Sequence, residues 1–274
     1  MKKIPVAQLA ATIAAATVFL VMNISITHAE NLSSSWEFET GIYAFIPGYV
    51  NGDSTVDGGT VPLDLDMSDV FDILDFAAAG RFEGWKDIQS GDGSAFGFVV
   101  DVNYVRLKPG ATAGGGSVEV DIEQGIVDAL AGYRFSPVTM DNTSDQTVTF
   151  DVTGGVRYNY LKQEIAVTPG LTPPFTVNLG TSKDWFEPVI GARANYRIND
   201  RWNLILRGDI AGFDINDSME WSVTGLASWR AWENTSLRFG YRIYDIDYNT
   251  GSGSNEFGLD VTEHGPFLGV SYRF

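Results

Sequence analysis

The sequence predicts an all-β fold: a closed antiparallel up-and-down transmembrane β-barrel. Three observations predict it: an amino-terminal export segment, period-two alternation sustained across most of the rest of the chain, and a final strand that ends on Phe274. The charge and composition limit the alternatives. A net charge of −17 argues against binding to nucleic acid or to anionic surfaces, which need clustered cations. The absence of cysteine excludes a disulfide scaffold and any thiolate metal site. A mean hydropathy of −0.03 excludes a polytopic helical membrane protein but not a barrel, whose strands alternate polar and apolar residues.

Residues 1–29 read as a signal peptide. Lys2 and Lys3 precede an apolar stretch from Leu9 to Ile26, and Thr27-His28-Ala29 places small residues where signal peptidase needs them, so cleavage is expected before Glu30. A retained signal-anchor helix is the alternative. Removing the segment takes off two lysines and no acids, and it leaves His264 as the only histidine. After Ile26 no apolar run approaches the roughly 20 residues that a membrane helix needs. Residues 30–274 therefore cross a membrane, if at all, as strands.

The alternation is clearest at 95–105, 150–160 and 188–198. Phe96, Phe98, Val100, Val102 and Tyr104 share one face, with Asp101 and Asn103 on the other. Phe150, Val152, Val156 and Tyr158 oppose Asp151, Arg157 and Asn159. Ile190, Ala192, Ala194 and Tyr196 oppose Arg193, Asn195 and Arg197. Each run lasts about ten residues, the length that a tilted strand needs to cross an outer membrane. Ten such segments are expected, near 36–47, 74–87, 95–107, 118–135, 148–162, 186–198, 202–213, 220–231, 236–246 and 263–274, although closure by eight or twelve strands also fits. Connections alternate between short and long, as in barrels with short periplasmic turns and long outer loops. The first long loop, 48–73, holds a segment from Ser68 to Leu74 that reads as a short helix with Ser68 as its N-cap, and residues 54–66 could add a hairpin above the membrane. A soluble β-sandwich would explain the alternation, but not the strand length, the terminal Phe and the export segment together.

Strand phase assigns roles to particular residues. Tyr133, Tyr196, Trp229 and Tyr272 each precede an Arg near a strand end and form an expected aromatic girdle. Leu268, Val270, Tyr272 and Phe274 form the alternating carboxy-terminal pattern expected to be read by the barrel-insertion machinery. Ten arginines take the lumen phase: Arg81, Arg134, Arg157, Arg193, Arg197, Arg207, Arg230, Arg238, Arg242 and Arg273. Glu37, Glu39, Glu83, Asp101, Asp128, Asp151, Glu187 and Asp209 share that phase. Unpaired charges in a narrow lumen are costly, so bidentate Arg–carboxylate pairs are expected, which would leave a salt-bridged plug or a thin aqueous path.

The surplus acid is assigned to the loops: Asp53, Asp57, Asp64, Asp66, Asp69 and Asp72 in the first, and Asp214, Asp217, Glu220, Asp245 and Asp247 further on. Carboxylates are ligands for divalent cations, but no EF-hand spacing appears, and a solvated acidic surface is the simpler reading. No metal and no cofactor are expected. His264 near the outer rim could act as a general base with Asp245 or Asp247, which keeps open a barrel enzyme of the omptin protease or lipid-hydrolase kind; the omptin motifs are absent, and no catalytic residue is assigned. The expected role is structural or surface-interactive, or limited passage of small solutes. The expected contacts are outer-membrane lipid and lipopolysaccharide, the insertion machinery, and a surface ligand met by loops 48–73 and 163–185, with the chain as a monomer.

Several stretches carry a resemblance: Tyr43-Ala44-Phe45-Ile46-Pro47-Gly48, the run from Met67 to Ala77, Gly191 to Gly212, Phe239 to Tyr248, and His264 to Phe274. They resemble a widespread family of porin-like outer-membrane β-barrel proteins of Gram-negative bacteria. The resemblance implies the barrel fold and an outer-membrane location. It carries over no catalytic motif and implies no activity.

Overall fold

A computed structural model describes residues 36–274 apart from 89–90, 109, 114–115, 141–145, 171–174 and 216. The signal peptide assigned to 1–29 lies outside the described residues. Ten antiparallel strands form the barrel wall. In chain order they are β1 (Trp36–Phe45), β4 (Leu74–Asp87), β5 (Ala95–Leu107), β7 (Gly116–Arg134), β9 (Thr147–Thr168), β10 (Val177–Arg197), β11 (Trp202–Ala211), β12 (Ser218–Arg230), β13 (Thr235–Thr250) and β14 (Phe257–Arg273). Pairing of β1 with β14, from Glu39↔Arg273 to Phe45↔Phe267, closes the ring. Closure removes the open edges that a membrane cannot solvate.

The outer face explains why these strands form a wall. Along β5, Phe96, Phe98, Val100, Val102 and Tyr104 point outward, and along β14 so do Leu268, Val270 and Tyr272. Aromatic rings mark both limits of this apolar band. Trp202 and Trp229 stack near the short turns, while Tyr158 and Phe186 meet at the opposite limit, 4.9 Å between ring centroids. Directly beyond that upper limit the outward positions become charged: Arg106 forms a fork with Asp121, and Lys162 Nζ lies 2.9 Å from Glu164 Oε2. The Arg106 hydrogen bond holds the Asp121 carboxyl below its ordinary range. An uncharged belt between aromatic rims is the surface of a membrane-spanning barrel.

The strands continue past the belt. β9 has 22 residues and β10 has 21, about twice what the membrane requires. Much of what the composition suggested as loops at 108–117, 163–185 and 247–262 is therefore ladder, with β6 (Gly110–Ala113) added on β7 and a two-residue β8 (Val138–Thr139) on β9. A single 3-10 turn at Gly253–Asn255 caps the β13–β14 arm.

The first outer loop is also ordered. β2 (Tyr49–Val56) and β3 (Gly59–Asp66) form a hairpin that extends the wall beside β14. The two-residue turn is Asp57-Gly58, both at positive φ (51° and 75°), as a turn matched to strand twist requires. Where β1 hands over to β2, the chain passes so close to β14 that a Cβ on Gly265 would lie 2.0 Å from the Ile46 carbonyl oxygen. α1 (Met67–Ile73) follows β3. Its N-cap is Asp66 rather than Ser68. The Asp66 side chain accepts from the backbone N–H of Ser68 and Asp69, and Asp69 returns a bond to the Asp66 N–H. These bonds, the Ser68 hydroxyl foremost, hold the Asp66 carboxyl below its ordinary range.

This insertion leaves a break in the wall. The β1–β4 ladder ends at Tyr43↔Ala79. Above it β1 turns away, β2 pairs with β14 and β3, and among the described residues no ladder joins β3 to β4. α1 lies in this interval. It turns Val70, 1% exposed, into the interior, and the Ile73 carbonyl accepts from the Lys108 N–H at the top of β5.

Candidate functional site

The lumen contains two charged layers and, beside the upper one, an apolar chamber. In the lower layer, Asp151 on β9 holds the Arg134 Nε at 2.8 Å and the Arg193 Nη2 at 2.6 Å. Arg193 crosses to Glu83 on β4 at 2.9 Å, Glu83 takes Arg81 at 3.1 Å, and Arg81 takes Asp101 at 2.9 Å. Tyr43 donates to Asp101 from β1, and Arg207 reaches the same carboxylate at 3.5 Å. Trp85 lies against this chain, with the Arg134 guanidinium 4.2 Å from its ring centroid. Below it, Glu39 binds Arg238 and, at 3.4 Å, Arg273.

The upper layer is built on Arg157, 1% exposed. It forms a fork with Asp128 and binds Asp209 at 2.9 Å and Glu220 at 3.0 Å. Three carboxylates on three strands thus share one guanidinium. Neutral donors supply the rest: Asn159 reaches Glu187 and Glu220, Tyr244 donates to Glu220 at 2.6 Å, and Ser222 donates to Asp209. Such satisfaction is what makes buried charge tolerable.

Several sequence expectations need correction. Glu220 belongs to the lumen rather than to a loop, because β12 begins at Ser218. Among the described residues Glu187 has no arginine partner; Asn159, Ser218 and Trp185 donate to it instead. Arg197 binds Asp200 in the turn, and Arg230 and Arg273 are exposed at the lower mouth, where the lumen opens to water. Asp245 and Asp247 lie within β13, on its outward phase. The girdle residues Tyr133 and Tyr272 are 39% and 38% exposed on the outer wall, Tyr196 donates to Gln146, and Trp229 stacks on Trp202. Leu268, Val270, Tyr272 and Phe274 are all exposed on the outer wall.

Two expectations about the interior also change. Arg242 is buried, 6% exposed, yet among the described residues it has no ion pair, and its Nε has no hydrogen-bond partner. The interior is not filled by side chains either. A cavity of about 400 Å³ occupies the upper half, lined by Val50, Leu65, Leu161, Leu259 and Val261 among others, with Tyr43, Tyr244 and Arg242 at its lower end. Val50, Leu63, Leu65, Gln163, Leu259 and Val261 of this lining come from β2, β3 and the upper parts of β9 and β14, segments whose composition suggested loops.

His264 is not brought to a carboxylate. Its Nδ1 lies 2.5 Å from the Tyr241 hydroxyl and its ring stacks on Tyr49, all on the outer wall, while Asp245 accepts from Thr262. Among the described residues, no group of three or more His, Asp or Glu is placed to hold a metal ion.

No protein-family model and no curated protein sequence matches the chain. Among solved structures, it is similar to the translocator domain of the autotransporter NalP from Neisseria meningitidis, at 12% identity over 99% of this chain and 100% of that one, with a TM-score of 0.37. The outer membrane protease OmpT from Escherichia coli matches at 10% identity over 90% and 100%, with a TM-score of 0.43. Ail, the attachment invasion locus protein of Yersinia pestis, matches at 11% over 87% and 98%, with a TM-score of 0.34. The fold is established by the chain's own strand register: this is a closed, ten-stranded antiparallel barrel with an apolar outer belt between aromatic rims.

Proposed function

We propose that the protein resides in the outer membrane as a sealed barrel whose upper half is a binding chamber open towards the outside. The observation that carries this reading is the lower charged layer. The sequence Arg134–Asp151–Arg193–Glu83–Arg81–Asp101 runs from β7 to β5 across the lumen directly beneath the cavity. Ions would have to displace interlocked, largely desolvated pairs to pass, which a diffusion pore does not require. The apolar chamber above it has the size and lining of a small-molecule site.

Planar-bilayer recording tests the seal. The unaltered barrel should show no discrete conductance steps, and the paired substitution Glu83→Ala with Arg193→Ala should introduce them by removing the centre of the chain. Stepwise conductance from the unaltered protein would refute the reading in favour of solute passage.

A further inference from the structure

We infer that the chamber binds an amphipathic carboxylate, its acyl chain among the apolar side chains and its carboxylate on Arg242. This rests on the reading of the upper lumen as a binding chamber.

Arg242 is the first reason. The buried arginines Arg81, Arg157 and Arg193 each meet at least two carboxylates. Arg242 meets none. It lies against two ring faces, 4.7 Å from the Tyr244 centroid and 5.2 Å from that of Phe45, and its Nε has no hydrogen-bond partner. Its ladder neighbour Thr224 is fully buried, and its hydroxyl also lacks a partner. A buried guanidinium that no carboxylate touches is short of hydrogen-bond acceptors, and a bound carboxylate supplies them with two parallel bonds. Glu263 lines the same cavity and its charge acts on Arg242 at a distance, but among the described residues it makes no direct contact with the guanidinium.

The cavity lining is the second reason. Above Arg242 it is predominantly aliphatic, with Leu63, Leu65, Leu161, Leu259 and Val261, and it suits a hydrocarbon chain rather than a hydrated solute.

The third reason is a route. Ala44 and Ala78 sit on the outward phase of β1 and β4, yet both line the cavity, so the chamber breaches the wall there. The breach lies above the last β1–β4 pair, beside α1, and its rim carries Pro47, Asp72 and Ile73. Outward-facing Phe76 and Tyr49 flank that height, at the upper aromatic limit of the apolar belt. An acyl chain in the outer leaflet could therefore enter sideways without crossing water.

The test uses the full-length barrel in nanodiscs with a diazirine-bearing palmitic acid, irradiated and mapped by mass spectrometry. Adducts are expected on chamber residues such as Leu161 and Leu259, and unlabelled palmitic acid should suppress them. The methyl ester of the same probe should label the chamber about tenfold less, the loss expected for one charge-assisted pair, and Arg242→Leu should lower labelling by the acid to the same extent. Leu161→Trp, which fills the chamber, should abolish labelling. Equal labelling by acid and ester would overturn the role of Arg242. Adducts confined to outward residues such as Ile243 and Leu268 would overturn the chamber as the site. If Arg242→Leu does not fold, as judged by heat-modifiable mobility, the comparison of acid with ester on the unaltered protein decides. A barrel that is silent in bilayers yet takes no label would sink this inference and leave the sealed-barrel reading standing; conductance steps would sink that reading.

Discussion

Arg193 on β10 reaches Glu83 on β4 across the inside of the barrel, Nη1 to Oε2 at 2.9 Å, although the two strands stand four places apart in the ring. The same guanidinium holds Asp151 on the neighbouring strand. One side chain thus ties opposite walls together.

Arg193→Ala should therefore destabilise the folded barrel by about 3 kcal/mol, because Glu83 and Asp151 would stay buried with one cation fewer. Denaturant titration followed by heat-modifiable mobility measures it. Removing Glu83 as well should cost less than the sum of the two single changes, because no orphaned charge remains on that side. Strict additivity would show that the two groups do not interact.

Gly265→Ala should prevent or severely impair barrel closure, because the added Cβ meets the Ile46 carbonyl oxygen at 2.0 Å, where β1 hands over to β2. Gly225→Ala on the outer wall of β12 meets nothing within 4 Å and should be close to neutral. Comparing the refolded fractions of the two variants isolates the close approach from any general effect of losing a glycine.

The outer arm of β13 and β14 should respond to pH. The Asp247 carboxyl lies above its ordinary range, first through desolvation and then through Asp260, Asp245 and Asp214 nearby. A carboxyl raised in the folded state binds its proton more readily there than in the unfolded chain. Its contribution is therefore least favourable above the raised value and improves as pH falls through it. Amide exchange across 244–250 and 257–262, corrected for intrinsic rate, should slow on acidification from neutral pH. Asp247→Asn should show the slow rate at neutral pH and lose the dependence.

Asp66→Ala should loosen α1 without unfolding the barrel, since it removes the carboxylate that accepts from the Ser68 and Asp69 N–H groups of a seven-residue helix and leaves only the backbone N–H bond of position 66 to Asp69. Faster amide exchange at Val70 and Phe71, with unchanged exchange in β9 and β10, is the expected result. An intact rate at Val70 would show that packing of its buried side chain alone holds the helix.

Strand phase alone placed the wall correctly: β4 and β5 run over 74–87 and 95–107, as their alternation implies. The arms above the membrane are harder to read because their outer face meets water instead of lipid, so Thr, Asp and Gly blur the alternation at 247–262 and 163–185 even though Leu259 and Val261 line the chamber. Glu220 reads as part of the acidic loop because it only opens the expected strand 220–231, whereas β12 begins two residues earlier and holds its carboxylate in the lumen. Ser68 reads as the N-cap in the sequence because Asp66 closes an alternating run that reads as strand. The solitary state of Arg242 has no local signature at all. Its phase matches that of Arg238 two turns of the pleat below, and only the three-dimensional spacing across the lumen shows which guanidinium goes without a carboxylate.

The sequence distances within the charged layers bear on assembly. Glu39 meets Arg238 and Arg273 across 199 and 234 residues, and Glu83 meets Arg193 across 110. No contiguous half of the chain contains Glu39 together with either of its arginines. A partly inserted sheet would hold bare ions against lipid, and only the arrival of β13 and β14 neutralises Glu39 on the first strand. Completing the ring is thus the step that makes the interior electrically quiet, and a truncated chain has no comparable resting state in the bilayer.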